Sequence, residues 1–345
     1  MSRVTVAIAT PLEPELVKRI AAVDGVEVLY EPDLLPSTRF PGDHRGAPFE
    51  RDEEARARWE ALLEAAEVLF GLPGDSPEGL RDVISRSPRL RWVQGTAAGA
   101  GEQVAAAELS PEELRRVAVT TSAGVHATPL AEFAILGLLA FAKDLPRLLR
   151  DKADRRWEHY PVAELRGRTV VVLGLGGIGR EVVRLASAFG MRTVGIRRTG
   201  GEVPRLDELH PPERLRELLP RANGLVVSLP LTRGTRGLLG RDAFALLPKG
   251  AVVVNVGRGG VVDEAALVEA LREGGLAGAA LDVFAEEPLP RESPLWELPN
   301  VLLAPHTAAL SIHENERIVQ LFCDNLRRHL RGEPLRNRVD PEHYY

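Results

Sequence analysis

The 345-residue sequence contains one cysteine, Cys323, and two methionines. A single thiol excludes a disulfide framework and any metal site built on cysteine. Its spacing from Leu321 and Leu326 is that of a packing position on a helix. Lysine is scarce as well: 40 of the 44 basic residues are arginine. Set against 49 acidic residues they leave a formal net charge of −5, which offers no electrostatic case for nucleic acid or an anionic membrane surface. Long apolar runs are missing. The most apolar helical stretch, "FAILGLLAFA", has Glu132 before it and Lys143 after it and is too short to cross a bilayer. The N-terminal "MSRVTVAIATP" lacks the apolar segment of a signal peptide and reads as a first strand. With 44% hydrophobic and 27% charged residues, the composition is that of a globular protein, and the length points to two domains. The expectation is a cytoplasmic enzyme or binding protein with neither a membrane nor a nucleic-acid partner.

Apolar runs then alternate with polar or helical stretches. In the first 120 residues these are "VTVAIA", "VEVLY", "EVLFGLP", "LRWVQGT" and "VAVTTS", the mark of a parallel α/β sheet. Between the second and third lies "PDLLPSTRFPGDHRGAPF", a Pro- and Gly-rich surface loop over 32–48, and then a charged helix from about Arg51 to Ala66. "SAGVHATPLAEFAILGLLAFAKDLPRLLR" reads as one long connector helix, with Thr128 as its N-cap and Pro129 in its first turn. From Arg168 the strands return as "TVVVLG", "RTVGI", "GLVVSLP", "AVVVNVG", "GAALDV" and "NVLLAPH". These runs are continuously apolar, as in sheets covered on both faces. An amphipathic helix, "ENERIVQLFCDNLRRHLRGEPLRN", closes the chain and is expected to pack back on the N-terminal domain. The expected fold class is α/β: two Rossmann/flavodoxin-like parallel-sheet domains joined by helices, with the active site in the cleft between them. One domain is discontinuous, 1–122 plus 308–345, and the other is a dinucleotide-binding Rossmann domain over 123–307.

In "TVVVLGLGGIGREVVRLASAFG" the glycines Gly174, Gly176 and Gly179 follow an apolar strand and open a helix, Ile178 to Phe189. That context is what a dinucleotide fingerprint requires. The first glycine permits the tight turn, the second a close approach of pyrophosphate, and the third close helix–strand packing. The helix N-terminus then presents unpaired N–H groups to the phosphates. The next strand normally ends in an acid that binds the adenosine ribose; here it ends in Arg197, Arg198 and Thr199. Two guanidiniums and a hydroxyl suit a 2′-phosphate, so NADP is favoured, with NAD as the alternative.

Ligands in open α/β sheets sit beyond the carboxyl ends of the strands. Past those ends this sequence delivers Arg258, Asp282, Glu287 and His306. Hydride exchange between a nicotinamide and a ketone needs a group that gives or takes a proton at the oxygen, and histidine suits both directions. Of eight histidines only His306 ends a predicted sheet strand. His44, His159, His210 and His343 fall in polar loops or the tail, His126 begins the connector helix, and His313 and His329 fall on helical patterns. A carboxylate beside the imidazole would orient it. Glu287 is preferred, but Asp282 or Glu286 meets the spacing equally. Arg258 offers a bidentate fork to a substrate carboxylate. Trp59, Trp92 and Trp296 read as core or junction residues, and Trp157, in "RRWEHY", as packing on the connector helix or reaching the cleft.

"GLGGIG", "NVGRGGVVDEAAL", "AALDVFAEEPLP" and "SPLWELPNVLLAPHTA", taken in order, resemble the D-isomer-specific 2-hydroxyacid dehydrogenases. The resemblance covers nearly the whole chain. It implies hydride transfer between NAD(P) and a 2-oxoacid/D-2-hydroxyacid, with Arg258 on the substrate carboxylate and Glu287–His306 as the acid/base pair. It also implies that Asp282 contacts the nicotinamide carboxamide and that the backbone N–H groups of Ala98 and Gly99 meet the substrate. The expected cofactor-binding set is Gly174, Gly176, Gly177, Ile178, Gly179, Arg197, Arg198, Thr199, Pro230, Val256 and Asp282, with no metal. A homodimer is implied, using the connector helix 129–149. The family usually has a bulkier residue and an Asp where Ala100 and Gly101 stand, and often Gly-Gly or Gly-Ser where Thr307 and Ala308 stand; these departures bear on the substrate, not the reaction type. The same scaffold resembles formate and phosphite dehydrogenases and dinucleotide-sensing regulators of the corepressor type, which are the alternatives.

Overall fold

Two series of alternating strands and helices become two parallel sheets. The computed structural model describes residues 3–340, which fall into two compact units: the chain up to His126 together with its return from Leu310, and Ala127–Ala309. The first unit runs β1 (Val4–Ile8), α1 (Pro14–Ala21), β2 (Val26–Leu29), α2 (Glu53–Ala65), β3 (Val68–Phe70) and α3 (Pro77–Arg86). It continues through β4 (Trp92–Gln94), α4 (Ala100–Ala106), α5 (Pro111–Arg116) and β5 (Ala118–Thr120). The second unit opens with α6 (Ala127–Ala142), α7 (Leu145–Ala153), β6 (Thr169–Leu173), α8 (Gly177–Ala188), β7 (Arg192–Ile196) and β8 (Glu208–His210). It goes on with α9 (Leu215–Leu218), β9 (Gly224–Val227), α10 (Arg241–Leu246) and β10 (Ala251–Asn255). Then come α11 (Glu264–Arg272), β11 (Leu276–Leu281) and β12 (Val301–Leu303), and the chain returns to the first unit as α12 (Glu314–Leu330).

The first sheet has the order β2-β1-β3-β4-β5 and the second β12-β11-β10-β9-β6-β7-β8, and every pairing is parallel. All carboxyl ends in a sheet therefore share one edge. In the second unit the continuous apolar runs are explained by two cores, one on each face. Val170 and Val172 point into the core with α6 and α8, while Val171 and Leu173 point into the opposite one. Helix α6 lies close on its face: a Cβ at Gly137 would come 2.5 Å from the Ala280 Cβ, so glycine is what this contact admits.

In the first unit α12 completes the core. Phe322, fully buried, stacks on Trp92 at 4.9 Å and meets Phe70 edge-on at 5.1 Å. Truncating such a residue to alanine costs about 3–5 kcal/mol. Cys323, the single cysteine, packs beside it, and burial pushes its thiol up.

Several local expectations are corrected. The connector is two helices, broken at Asp144, which adopts a left-handed φ of 51° and caps α7 through Arg147 N. Pro146 is the cause: it lacks the N–H and crowds the carbonyl of the preceding turn, so one continuous helix cannot run through it. Thr128 lies inside the first turn of α6 instead of capping it. His210 belongs not to a loop but to β8, a three-residue edge strand whose sequence Glu-Leu-His has no apolar run to announce it. Trp59 and Trp92 are buried, but Trp296 is 54% exposed and so not a core residue, and Trp157, 90% exposed, does not pack on the connector helix. The 32–48 segment is not merely a surface loop, because Leu34, Leu35 and Asp43 are buried. His343 lies outside the described residues. Among the described residues no helix is long and apolar enough to cross a membrane.

Candidate active site

At the carboxyl edge of the second sheet, β6 turns into α8 through Gly174, whose φ is +92°. Its N–H donates to Ile196 O at 3.0 Å, and its carbonyl accepts from Ser228 Oγ at 2.9 Å. A Cβ at Gly179 would lie 1.9 Å from Gly174 O, so helix and turn touch there. Gly176 behaves differently: a Cβ added to it meets no atom of the chain within 4 Å. Gly176 and Gly177 are exposed at the start of the 12-residue α8, with Ile178 half-buried behind them. An open glycine face at a helix N-terminus is a cradle for a phosphate-bearing group, and the turn fits a dinucleotide. Beyond the neighbouring strands, Pro230 is exposed with its carbonyl held by Thr235 Oγ1 at 2.7 Å, and Val256 is buried, its N–H on Val227 O at 3.0 Å.

The Arg197 guanidinium is turned inward, where Nη2 donates to the carbonyls of Gly200 and Gly201 and closes a tight loop. Arg198 and Thr199 are exposed on it. Among the described residues neither arginine forms an ion pair with a carboxylate, so this corner carries positive charge.

Beyond β12, His306 adopts a left-handed φ of 55°, with its N–H on Asp282 O at 3.0 Å. A non-glycine residue held there costs on the order of 1–3 kcal/mol, which neighbouring contacts must offset. His306 Nδ1 lies 2.7 Å from Glu287 Oε2, and Glu287 Oε1 accepts from Phe284 N at 2.9 Å. The carboxylate is thus fixed at one oxygen by backbone and at the other by imidazole. His306 Nε2 has no hydrogen-bond partner among the described residues, and the side chain is 50% exposed. Asp282, 1% exposed, takes a different part: its Oδ1 accepts from Ala308 N at 2.8 Å and so secures the segment carrying His306. Burial pushes the Asp282 carboxyl up, partly offset by that N–H. Of the three carboxylates the spacing allowed, Glu287 is the one at the ring.

Arg258 follows β10 and is half-buried, with Nη1 on Gly257 O at 3.0 Å. Its segment lies against the Glu287 turn, because a Cβ at Gly259 would sit 1.8 Å from Phe284 O. Sequence reasoning missed Asn255, 1% exposed, whose Nδ2 donates to Arg258 O at 3.2 Å and whose Oδ1 accepts from Gly257 N at 3.1 Å. The signal was a lone amide ending the apolar run "AVVVN". It also missed Ser228, which latches the nucleotide turn. Ala98 and Gly99 belong to the first unit, beyond β4 and just before α4; Ala98 is exposed and Gly99 half-buried.

These features define a class, the dinucleotide-dependent dehydrogenases built on parallel sheets. The model of the D-isomer specific 2-hydroxyacid dehydrogenase NAD-binding domain matches residues 135–308. A glyoxylate reductase of Aeropyrum pernix is 36% identical over 273 residues, 76% of this chain and 79% of that protein. A D-3-phosphoglycerate dehydrogenase of Methanocaldococcus jannaschii is 35% identical over 263 residues, 75% of this chain but only 49% of that protein. The crystal structure of a D-isomer specific 2-hydroxyacid dehydrogenase from Xanthobacter autotrophicus Py2, in complex with NADPH and MES, superposes with a TM-score of 0.76 at 33% identity and covers 100% of both chains. The chain belongs to the D-isomer-specific 2-hydroxyacid dehydrogenase family.

Proposed function

We infer that this chain reduces a small 2-oxoacid with NADPH and, in reverse, oxidises a D-2-hydroxyacid. The observation that carries this reading is the His306–Glu287 pair, joined at 2.7 Å through Nδ1 with Nε2 left to face a substrate. A bound reduced nicotinamide would supply the hydride. His306 delivers the proton from Nε2 to the substrate's carbonyl oxygen, and Glu287 fixes the ring and balances the imidazolium charge. Arg258 takes the substrate carboxylate through its planar fork. Within the first unit, read as the substrate-binding domain, the N–H groups of Ala98 and Gly99 are the donors assigned to the substrate. Gly174, Gly176, Gly177, Ile178 and Gly179 form the dinucleotide cradle, with Pro230, Val256 and Asp282 on the nicotinamide side. Arg198 and Thr199, backed by the loop that Arg197 closes, favour a 2′-phosphate. Leu136, Leu148, Leu149 and Trp157, all between 48% and 90% exposed on the second unit, supply apolar surface for a homodimer.

The test is absorbance at 340 nm with a panel of 2-oxoacids, each run with NADPH and with NADH. Turnover that falls roughly 10²–10⁴-fold in His306→Ala, with NADPH affinity kept, is the expected result. Tight NADPH binding without turnover of any oxoacid overturns it in favour of a dinucleotide sensor.

A further inference from the structure

Three buried titratable side chains of the first unit have no part in that chemistry. Glu314, in the first turn of α12, is 4% exposed. Its Oε1 lies 3.1 Å from His126 Nε2 and 3.7 Å from His44 Nε2. Burial by itself would raise the Glu314 carboxyl, but the hydrogen bond from His126 and the charges of both imidazoles bring it down to about 2. A buried carboxylate is kept only where donors or opposite charge stand beside it, and these two imidazoles are the groups that face it. His44 is the telling member. Its side chain is 9% exposed, yet neither ring nitrogen makes a hydrogen bond. The charged group against the ring is Glu314, 3.7 Å from Nε2.

The three residues come from three segments. His126 is the last residue before the chain passes into the second unit, and Glu314 stands four residues after the return at Leu310. His44 belongs to the 39–46 loop, which is stiff in itself. Arg39 grips Asp43 through two 2.7 Å bonds, and Gly46 N donates to Asp43 Oδ1 at 3.0 Å. The loop backbone presses on the carboxylate, since a Cβ at Gly42, where φ is +81°, would lie 2.9 Å from Glu314 Oε2. At the loop tip, Thr10 Oγ1, just beyond β1, donates to His44 O at 2.7 Å. The tip therefore sits at the carboxyl edge of the first sheet, the edge where β4 runs on to Ala98 and Gly99. Besides facing Glu314, His44 acts electrostatically on Asp75, as do Arg45 and Asp43 of the same loop. Asp75, in the turn after β3, also accepts from Gln103 Nε2 of α4 at 3.4 Å, and α4 starts directly after Gly99.

We propose that His44, Glu314 and His126 form a clasp that holds the 39–46 loop over the carboxyl edge of the first sheet as a fixed wall beside Ala98 and Gly99. They are positioning residues: through the loop they set how the 2-oxoacid is received, and the proposal rests on the substrate-binding role given above to that edge. Without the clasp the loop opens and substrate binding weakens, while the cofactor cradle, built wholly from the second unit, is untouched.

Glu314→Gln keeps the shape and removes the charge. Limited trypsin digestion of the full chain, with mass spectrometry of the product ending at exposed Arg45, reads loop opening without any substrate. Cleavage there should quicken roughly fivefold or more, and the 2-oxoacid KM should rise by a similar factor, with kcat and NADPH affinity within about twofold. His44→Gln, changed on the loop itself, repeats the measurement should the first variant fail to fold. Unchanged cleavage in both variants overturns the clasp, and faster cleavage with an unchanged KM overturns its positioning role. If the native chain turns over no oxoacid, that failure belongs to the functional reading and the cleavage rates alone decide the clasp.

Discussion

Two glycines three residues apart, Gly176 and Gly179, should respond to the same substitution in opposite ways. At Gly179 an added methyl would sit 1.9 Å from Gly174 O and 3.1 Å from Ser228 Oγ. An ordinary carbon–oxygen contact is near 3.2 Å or more, so either α8 or the turn must move by more than an ångström. Overpacking of this kind costs about 1–3 kcal/mol, from which the better helix propensity of alanine returns at most about 1 kcal/mol. For a unit of this size each kcal/mol is worth roughly 2–4 °C, so Gly179→Ala should lower Tm by several degrees. It should also weaken NADPH, because the turn that moves is the cradle. At Gly176 no chain atom lies within 4 Å of an added Cβ, and φ is an ordinary −72°. Gly176→Ala should therefore leave Tm within about 1 °C while weakening NADPH roughly tenfold or more, since only bound pyrophosphate would meet the methyl. Differential scanning fluorimetry and a fluorescence titration of NADPH measure both quantities on both variants. A Gly176→Ala protein that binds NADPH like the native chain would refute the cradle. A Gly179→Ala protein with native Tm would refute the packing argument.

Arg258→Ala should raise the 2-oxoacid KM strongly and lower kcat as well, since a group that both binds and orients is lost; an effect on NADPH affinity alone would count against it. Arg198→Asp should reverse a preference for NADPH over NADH, and equal affinities in the native chain would reject the 2′-phosphate site. Light scattering at micromolar concentration should find twice the 37.6 kDa chain mass, and Trp157→Glu should shift that toward a single chain. On acidification, Glu314 works in one direction. Its carboxyl titrates near 2 when folded and near 4.5 when unfolded, so its contribution is complete above about 4.5 and is lost as pH falls toward 2. The difference is worth up to about 3 kcal/mol. Tm should fall through that window, and Glu314→Gln should lose less of its own Tm over the same titration.

The strands of the second sheet were legible because each is a continuous apolar run with alternate side chains serving two cores, as Val170 to Leu173 do. β8 was not legible, because an edge strand of three residues needs no such run. The break in the connector stood in plain view as Pro146, but the apolar periodicity on either side of it masked the proline. At the site, the glycine turn could be read by its spacing, and His306 by its place beyond β12. The choice among Asp282, Glu286 and Glu287 could not be read from spacing. It depends on the left-handed backbone at His306 and on Ala308 N drawing Asp282 away, neither of which leaves a mark in the residue pattern. The His44–Glu314–His126 cluster was hidden for another reason: its members lie up to 270 residues apart, and only the fold makes them neighbours.

The placement of Phe322 has a consequence for how the chain is made. The pocket it fills, between Trp92 and Phe70, belongs to strands that leave the ribosome roughly 230–250 residues earlier, or about 10–50 s at ordinary synthesis rates. The second unit, one unbroken stretch from Ala127 to Ala309, has all its parts before α12 exists. During that interval the first sheet must wait with its aromatic face uncovered, the kind of surface that chaperones bind and that aggregates when they do not. Nascent chains stalled before Glu314 should therefore be held by chaperones through the N-terminal segment, and release should follow once α12 has emerged.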